Sequence, residues 1–305
     1  VSRRVHVTVP ATSANLGPGF DALGLALTLY NEVEARPAGE TSVAVEGEGA
    51  GRLPSSDKNV VVRAMRMVYE AAGRRAESWK VRCVNRIPPA RGLGSSAAAW
   101  VGGIAAGNAL LGSPLDRGAM LKLAARAEGH PDNVAAAVYG GLTVASGDGE
   151  AVVALTVPVP PALVWVALIP EVTSSTSEAR AVLPSTVPRA DAVFNVQRVA
   201  LLLASLQAGR LDTLGAALDD RLHQPYRRKL FPWMPSVIEA ARASGALGCA
   251  LSGAGPSLLA IAPGPAEGDA VATAMQKALG RAGIGGTART LGVDTRGVVA
   301  VREPA

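Results

Sequence analysis

Ile87-Pro88-Pro89-Ala90-Arg91-Gly92-Leu93-Gly94-Ser95-Ser96-Ala97-Ala98-Ala99 is the stretch on which the fold turns. A strand-like run stops at the prolines, two glycines and two serines follow, and an Ala-rich helix begins. Gly92 and Gly94 can take backbone angles closed to other residues and let an anion approach the main chain. The free N–H groups and positive dipole end of the new helix face that anion. Ser95 and Ser96 add hydroxyls that can cap the helix or reach a phosphate or a magnesium ion.

Three readings compete for this stretch. The first is a structural turn between strand and helix. The second is a dinucleotide-binding turn, since Gly92 to Ala97 fits G-x-G-x-x-A. That turn normally follows its strand at once and is answered by an acidic residue roughly 20 positions on. Here Pro88 to Arg91 intervene, and the nearest candidate, Asp116, follows Ser113-Pro114 at a helix start. The third is a nucleoside-triphosphate cradle other than a Walker A loop, because no Gly-Lys-Ser/Thr follows the glycines. The rest of the chain favours the third.

The 305 residues, 49% of them hydrophobic, can bury a large core and suggest two domains, 1–158 and 159–305. Cys83 and Cys249 are too few for a disulfide framework, which fits a reducing, cytoplasmic setting. The net charge of +5 comes from scattered arginines with little aromatic interleaving, so no nucleic-acid surface is expected. Val1 to Val7 alternates like a strand and lacks the apolar core of a signal peptide. Ala151 to Pro170 is interrupted by prolines, and Leu163 to Ile169 suits a buried strand better than a membrane helix.

Two further polar clusters stand out. Pro10 to Asp21 reads as a turn-rich loop with Asn15 and Asp21 among small residues; turn chemistry is the plain explanation, but its length suits a shaped binding loop. Glu128-Gly129-His130-Pro131-Asp132-Asn133 places two carboxylates, a His and an Asn at a helix–loop–helix junction. Asp132 can cap the second helix, whereas Glu128 at a helix C-terminus opposes the dipole and suggests a metal partner.

Elsewhere Asp57 or Asn59 opens a helix on the spacing Val61, Met65, Val68, Ala72 that Gly73 can end. Ser113-Pro114-Leu115-Asp116 predicts a helix with Ser at the cap. Thr173 to Arg180 is a hydroxyl-rich loop, Ala190–Gln207 and Leu211–Leu222 predict helices, and His223 to Lys229 reads alone as a solvated basic patch. Cys249 to Ile261 reads as strand, Gly-rich turn, strand. Its Ser252-Gly253-Ala254-Gly255-Pro256-Ser257 offers several backbone N–H groups, suiting a second wall for an anion.

With the cradle, the Glu-Gly-His-Pro-Asp-Asn segment and the Ser-Gly-Ala-Gly-Pro-Ser turn in this order, the chain resembles the GHMP small-molecule kinases over nearly its whole length. The resemblance implies an α+β fold. Its N-terminal domain would carry a left-handed βαβ unit, like ribosomal protein S5 domain 2, and its C-terminal domain would be ferredoxin-like. Within the family, Pro10 to Asp21, Glu128 to Asn133, Thr176 to Leu183 and Pro225-Tyr226-Arg227 are most similar to the branch that phosphorylates the hydroxyl of L-homoserine with ATP and Mg2+ in threonine biosynthesis.

By that resemblance Pro88 to Ala98 wraps the phosphates, Ser96 and Glu128 hold magnesium, and Asn59 lies beside the adenine. Asn15 and Asp21 meet the substrate ammonium, Arg180 and Arg227 its carboxylate, and Thr176, His130, Asp132 and Gly253 line the remainder, with Asp132 as the base that takes the hydroxyl proton. A mevalonate-pathway kinase, which needs no such zwitterion site, and a non-catalytic sensor on the same scaffold are the alternatives. The sequence leaves the oligomeric state open, a homodimer being one option.

Overall fold

The computed structural model describes residues 4–303. The chain begins with a long antiparallel hairpin, β1 (Arg4–Asn15) and β2 (Gly19–Ala38). The first half of β1 alternates Val5, Val7 and Val9 into the core, as period-2 patterning requires. From Pro10 onward every residue of the strand is buried, so the loop expected over 10–21 is strand as far as Asn15. Small side chains allow this, because both faces are covered and the register shifts between Pro10 and Ala11. The turn itself is Leu16 to Pro18, flanked by φ of 71° at Asn15 and 56° at Asp21, left-handed angles that Asn and Asp tolerate best among side-chain-bearing residues. The first three residues of the expected N-terminal strand lie outside the described residues.

Next come β3 (Ser42–Gly47), α1 (Val60–Ala71) and β4 (Ser78–Asn85). β3 and β4 pair in parallel, so these three elements form the βαβ unit. The predicted stripe Val61, Met65, Val68 is the buried face of α1. Then follow α2 (Ser95–Leu110), α3 (Arg117–Glu128) and α4 (Asp132–Tyr139). α2 is enclosed on nearly all sides: a Cβ on Gly103 would stand 2.4 Å from the Val61 carbonyl, so only glycine permits the α1–α2 approach. The helix predicted from Ser113 begins instead at Arg117, capped by Asp116, which accepts the Ala119 N–H at 2.7 Å. Asn108 causes the delay, since its amide holds both the N–H and the carbonyl of Leu115 at 2.9 Å and keeps that residue out of the helix.

β5 (Leu142–Ser146) and β6 (Val153–Val157) complete the first sheet, in which β2 pairs with β5 at its start and β4 at its end. The second unit holds β7 (Val164–Pro170), α5 (Thr176–Ala181), α6 (Arg189–Ala208), α7 (Leu214–Ala217), α8 (Gln224–Arg227) and α9 (Met234–Ala243). It ends with β8 (Gly248–Leu251), β9 (Leu258–Ala262), α10 (Pro265–Arg281) and β10 (Gly286–Leu291). Its antiparallel order β10-β7-β9-β8, with helices between β7 and β8 and between β9 and β10, is ferredoxin-like. β7 is a strand buried on both faces: Trp165 and Ala167 join the first core, Val166 and Leu168 the second.

The helix predicted over 211–222 is reduced to a 3-10 turn and α7. Asp220 breaks it by accepting the N–H groups of Leu222, His223 and Gln224, which turns the chain into α8. The last strand, β11 (Val299–Glu303), returns to pair with β1, so residues 299–303 lie in the first sheet and not with the second unit to which the expected division at 158/159 assigned them. No helix among the described residues is long and apolar enough to cross a membrane.

Candidate active site

The Gly-rich loop leaves β4 at Asn85 and enters α2 at Ser95. Gly92 and Gly94 have φ of 74° and 69°, and a Cβ on Gly92 would fall 2.2 Å from the Ser252 carbonyl oxygen, so the loop can be seated only with glycine there. Ser252, from the second Gly-rich turn, locks the two walls together: its hydroxyl lies 2.6 Å from the Gly92 carbonyl and 2.8 Å from the Ser13 hydroxyl. Leu93 is fully buried and anchors the loop to β1, its carbonyl accepting the Thr12 N–H. Arg91 donates to the carbonyls of Pro170 and Glu171, tying the loop to the end of β7.

Two cavities, each of about 240 Å³, meet at this loop. The apolar one is lined by Val33, Val45, Leu53, Pro54, Asn59, Val61, Pro89 and Ala98 among others; the polar one contains Asn15, Asp21, Glu128, His130, Asp132, Thr176, Arg180, Arg227 and Gly253. Ala90, Ser95 and Ser96 line both. Gly92 and Gly94 face the polar cavity, whereas Pro88, Leu93 and Ala97 line neither. Asn59 is at the apolar cavity, yet both ends of its amide are engaged: Oδ1 accepts the Val61 N–H and caps α1, while Nδ2 donates to the Pro54 carbonyl. It therefore shapes the cavity wall. Cys83 also lines this cavity, with burial pushing its thiol up to about 12.

At the seam, Ser96 donates its hydroxyl hydrogen to Glu128 Oε2 at 2.7 Å. Burial raises the Glu128 carboxyl above its ordinary value, with the Asp132 charge acting in the same direction and the Ser96 bond and His130 opposing. A hydroxyl and a carboxylate held side by side are hard oxygen donors suited to Mg2+. The described residues contain no cluster of three or more His, Cys, Asp or Glu placed for a metal.

Asp132 is not the cap of α4 but its first residue, with only 2% of its surface exposed. Its Oδ1 accepts the His130 Nδ1–H at 2.8 Å and the Asn133 N–H at 2.7 Å, and Oδ2 has no partner among the described residues. Burial works against the imidazolium at His130, but the hydrogen bond to Asp132 and the charges of Asp132 and Glu128 outweigh it and hold the ring above its ordinary pKa. Asn133, which sequence reasoning left without a role, accepts the Thr12 hydroxyl at 2.8 Å and fixes α4 against β1.

The far wall gathers residues from four segments. Asn15 braces the turn, its Oδ1 accepting the Asp21 N–H and its Nδ2 donating to the Gly253 carbonyl. Arg180, placed on α5 by the Ser175–Glu178 capping box, grips Asp21 through two bonds of 2.6 and 3.0 Å. That hydrogen bonding raises the Arg180 pKa against the cost of burial. Arg227, which its own stretch would leave as a solvated charge and the resemblance sets at the substrate carboxylate, is 2% exposed; its Nε donates to the Ala179 carbonyl and its Nη1 to the Gly253 carbonyl. Burial, then the charge of Arg180, brings it down to about 10. Nη2 of Arg227 has no partner among the described residues. The Phe20 ring is 5.4 Å from the Arg180 guanidinium and 5.5 Å from that of Arg227, and was missed because a lone aromatic carries no pattern.

The chain is similar to known proteins over nearly its whole length. Residues 59–141 match the family model of the GHMP kinases N terminal domain, and residues 202–281 that of the GHMP kinases C terminal. A homoserine kinase from Moorella thermoacetica is 46% identical over 295 residues, covering 97% of this chain and 99% of that one. The chain belongs to the GHMP kinases. Among members of that family, a second homoserine kinase, from Carboxydothermus hydrogenoformans, is 46% identical over 90% of this chain and 89% of its own. The crystal structure of homoserine kinase from Cytophaga hutchinsonii superposes with a TM-score of 0.89 at 31% identity, covering 98% of this GHMP kinase and 97% of that chain.

Proposed function

We infer that the protein transfers the γ-phosphoryl group of ATP to the side-chain hydroxyl of L-homoserine, giving O-phospho-L-homoserine, a step of threonine biosynthesis. The observation that carries this is the polar cavity, where Asp21 stands beside Arg180 and Arg227 and opens onto Ser95 and Ser96. An α-amino acid bears ammonium and carboxylate on one carbon, so its receptor needs an acid and a guanidinium side by side, not at opposite ends. A mevalonate-type acceptor has no ammonium for Asp21. The relatives at 46% identity carry the homoserine kinase name, which supports the same acceptor.

In this reading the adenine occupies the apolar cavity and the phosphates follow the Gly92–Ser96 backbone toward the N-terminus of α2. Ser96 and Glu128 would hold Mg2+, which when bound offsets phosphate charge. The unpartnered Nη2 of Arg227, with Arg180, takes the substrate carboxylate; Asp21 takes the ammonium. Phosphoryl transfer depends on positioning and charge stabilisation more than on covalent help. The homoserine oxygen bonds to the γ-phosphorus as the bond to the ADP oxygen breaks, and the hydroxyl proton passes to Asp132 Oδ2. His130 and the Asn133 N–H hold Oδ1 and so aim the other oxygen. We place the enzyme in the cytoplasm, where its two free buried cysteines stay reduced.

Magnesium-dependent ADP release should be measured with L-homoserine, L-serine, L-threonine and mevalonate. Turnover with L-homoserine well above the others is expected; turnover with mevalonate alone would replace the reading.

A further inference from the structure

Of the chain's three histidines, His130 lines the polar cavity, and His223, packed behind it against Phe20 and Arg227, is used by no step above. It is fully buried at the start of α8, stacked on Phe20 with ring centroids 5.3 Å apart and planes 25° from parallel. Its Nε2 lies 2.7 Å from the Gly17 carbonyl, in the turn that carries Asn15 and Asp21. Its Nδ1 lies 3.1 Å from Arg227 Nη1.

A guanidinium can only donate, so Nδ1 must offer its lone pair to Arg227, and the ring proton must sit on Nε2, where the Gly17 carbonyl accepts it. We propose that His223 is a positioning residue for the acceptor site, a neutral Nε2–H imidazole that spans from the Asp21 turn to Arg227 and sets the separation of the ammonium and carboxylate walls. This rests on the acceptor assignment under Proposed function.

The surroundings fit a ring that does not change charge. Burial pushes His223 down to about 4, with Arg227 acting in the same direction, while Asp220, the Gly17 carbonyl and Asp21 pull the other way. Asp220 Oδ2 is 3.5 Å from Nε2, farther than the Gly17 oxygen, and already accepts the backbone N–H groups of His223 and Gln224, while Oδ1 accepts that of Leu222. Asn195 Nδ2 also donates to Oδ1 at 2.8 Å. The helix start, the imidazole and the arginine are therefore built as one rigid bracket. A protonated ring would set its Nδ1–H against an Arg227 N–H, donor against donor, and lose that bond.

The test has two arms. In 15N NMR of histidine-labelled wild-type protein, with the ring assigned by the loss of its signal in His223→Asn, His223 should carry its proton on Nε2 and show no titration between pH 6 and 8. A proton on Nδ1, or a midpoint in that range, overturns the proposal whatever the substrate is. In steady-state kinetics, His223→Leu should raise the KM for L-homoserine roughly tenfold or more with the KM for ATP within about twofold of wild type. His223→Asn, whose Oδ1 can replace the Nδ1 acceptor, should recover most of that loss. An unchanged homoserine KM in a folded His223→Leu overturns it, as does equal loss in the Leu and Asn variants. A wild type inactive on homoserine would instead reject the acceptor assignment and leave the NMR arm decisive for the tautomer and the bracket.

Discussion

Asp21 and Arg180 lie 159 residues apart and meet in a two-point ion pair, Nη2 to Oδ1 at 2.6 Å and Nη1 to Oδ2 at 3.0 Å, inside the cavity each was expected to share with the substrate. The two groups neutralise each other until a molecule bearing both charges inserts between them. A ligand with one charge would leave one partner uncompensated. Both side chains are more than a third exposed, 39% and 35%, so the penalty is modest, roughly 0.5–1 kcal/mol, or about 2- to 5-fold. L-homoserine should therefore outcompete 4-hydroxybutyrate and 3-aminopropan-1-ol by at least that factor in kcat/KM. In Asp21→Asn the gap to 4-hydroxybutyrate should narrow, because Arg180 is freed and no ammonium partner is missed. An unchanged ratio would remove the ion-exchange account.

Arg180→Ala separates the two cavities. Arg180 lines the polar cavity and not the apolar one, so the KM for L-homoserine should rise about tenfold or more while that for ATP stays within about twofold. Equal increases in both would mean that Arg180 serves the nucleotide.

Asp132→Asn tests the proton acceptor. Asparagine can keep the hydrogen bonds at one oxygen but cannot take a proton, and general-base catalysis contributes roughly 10²- to 10⁴-fold. Saturated turnover should fall by about 10² or more. Near-normal turnover at saturating homoserine with a raised KM would reduce Asp132 to an orienting group.

Stability should follow His223 at mildly acidic pH. Its folded pKa is lowered to about 4 from an ordinary 6.5, so below 6.5 the unfolded chain takes up a proton that the folded chain refuses. This contribution is fully present above about 6.5 and is lost as pH falls toward 4, with a limiting slope of about 1.4 kcal/mol per pH unit. Urea midpoints for wild type should therefore drop more steeply between pH 6.5 and 4.5 than those for His223→Asn, which has no group to titrate there. Parallel slopes would contradict a neutral buried ring.

The Gly-rich strand-to-helix loop and the strand–turn–strand at 248–262 were legible because glycine, proline and period-2 patterning act locally, whereas the βαβ unit followed only from the family resemblance. Glu128 was read as a helix-end carboxylate in need of a partner, expected to be a metal ion, and the fold sets the Ser96 hydroxyl against it. What was not legible depends on long-range contacts. Arg227 reads as one charge in a basic run, and only the fold buries it against Ala179 and Gly253. The shortened helices at 113 and 211 fail for a related reason: Asn108 and Asp220 capture backbone groups that the helical pattern would have used. Asp21 and Arg180 were assigned to opposite ends of the substrate, whereas the fold makes them neighbours.

The central claim, that a phosphoryl group crosses the Ser95–Ser96 seam from a nucleotide to an amino-acid hydroxyl, is tested most directly by 31P NMR of the protein with ATP, Mg2+ and L-homoserine. The account requires ADP signals to grow together with one phosphomonoester resonance split into a triplet by the adjacent methylene protons. ADP appearing with inorganic phosphate alone, or with an acyl phosphate in place of the ester, would contradict it.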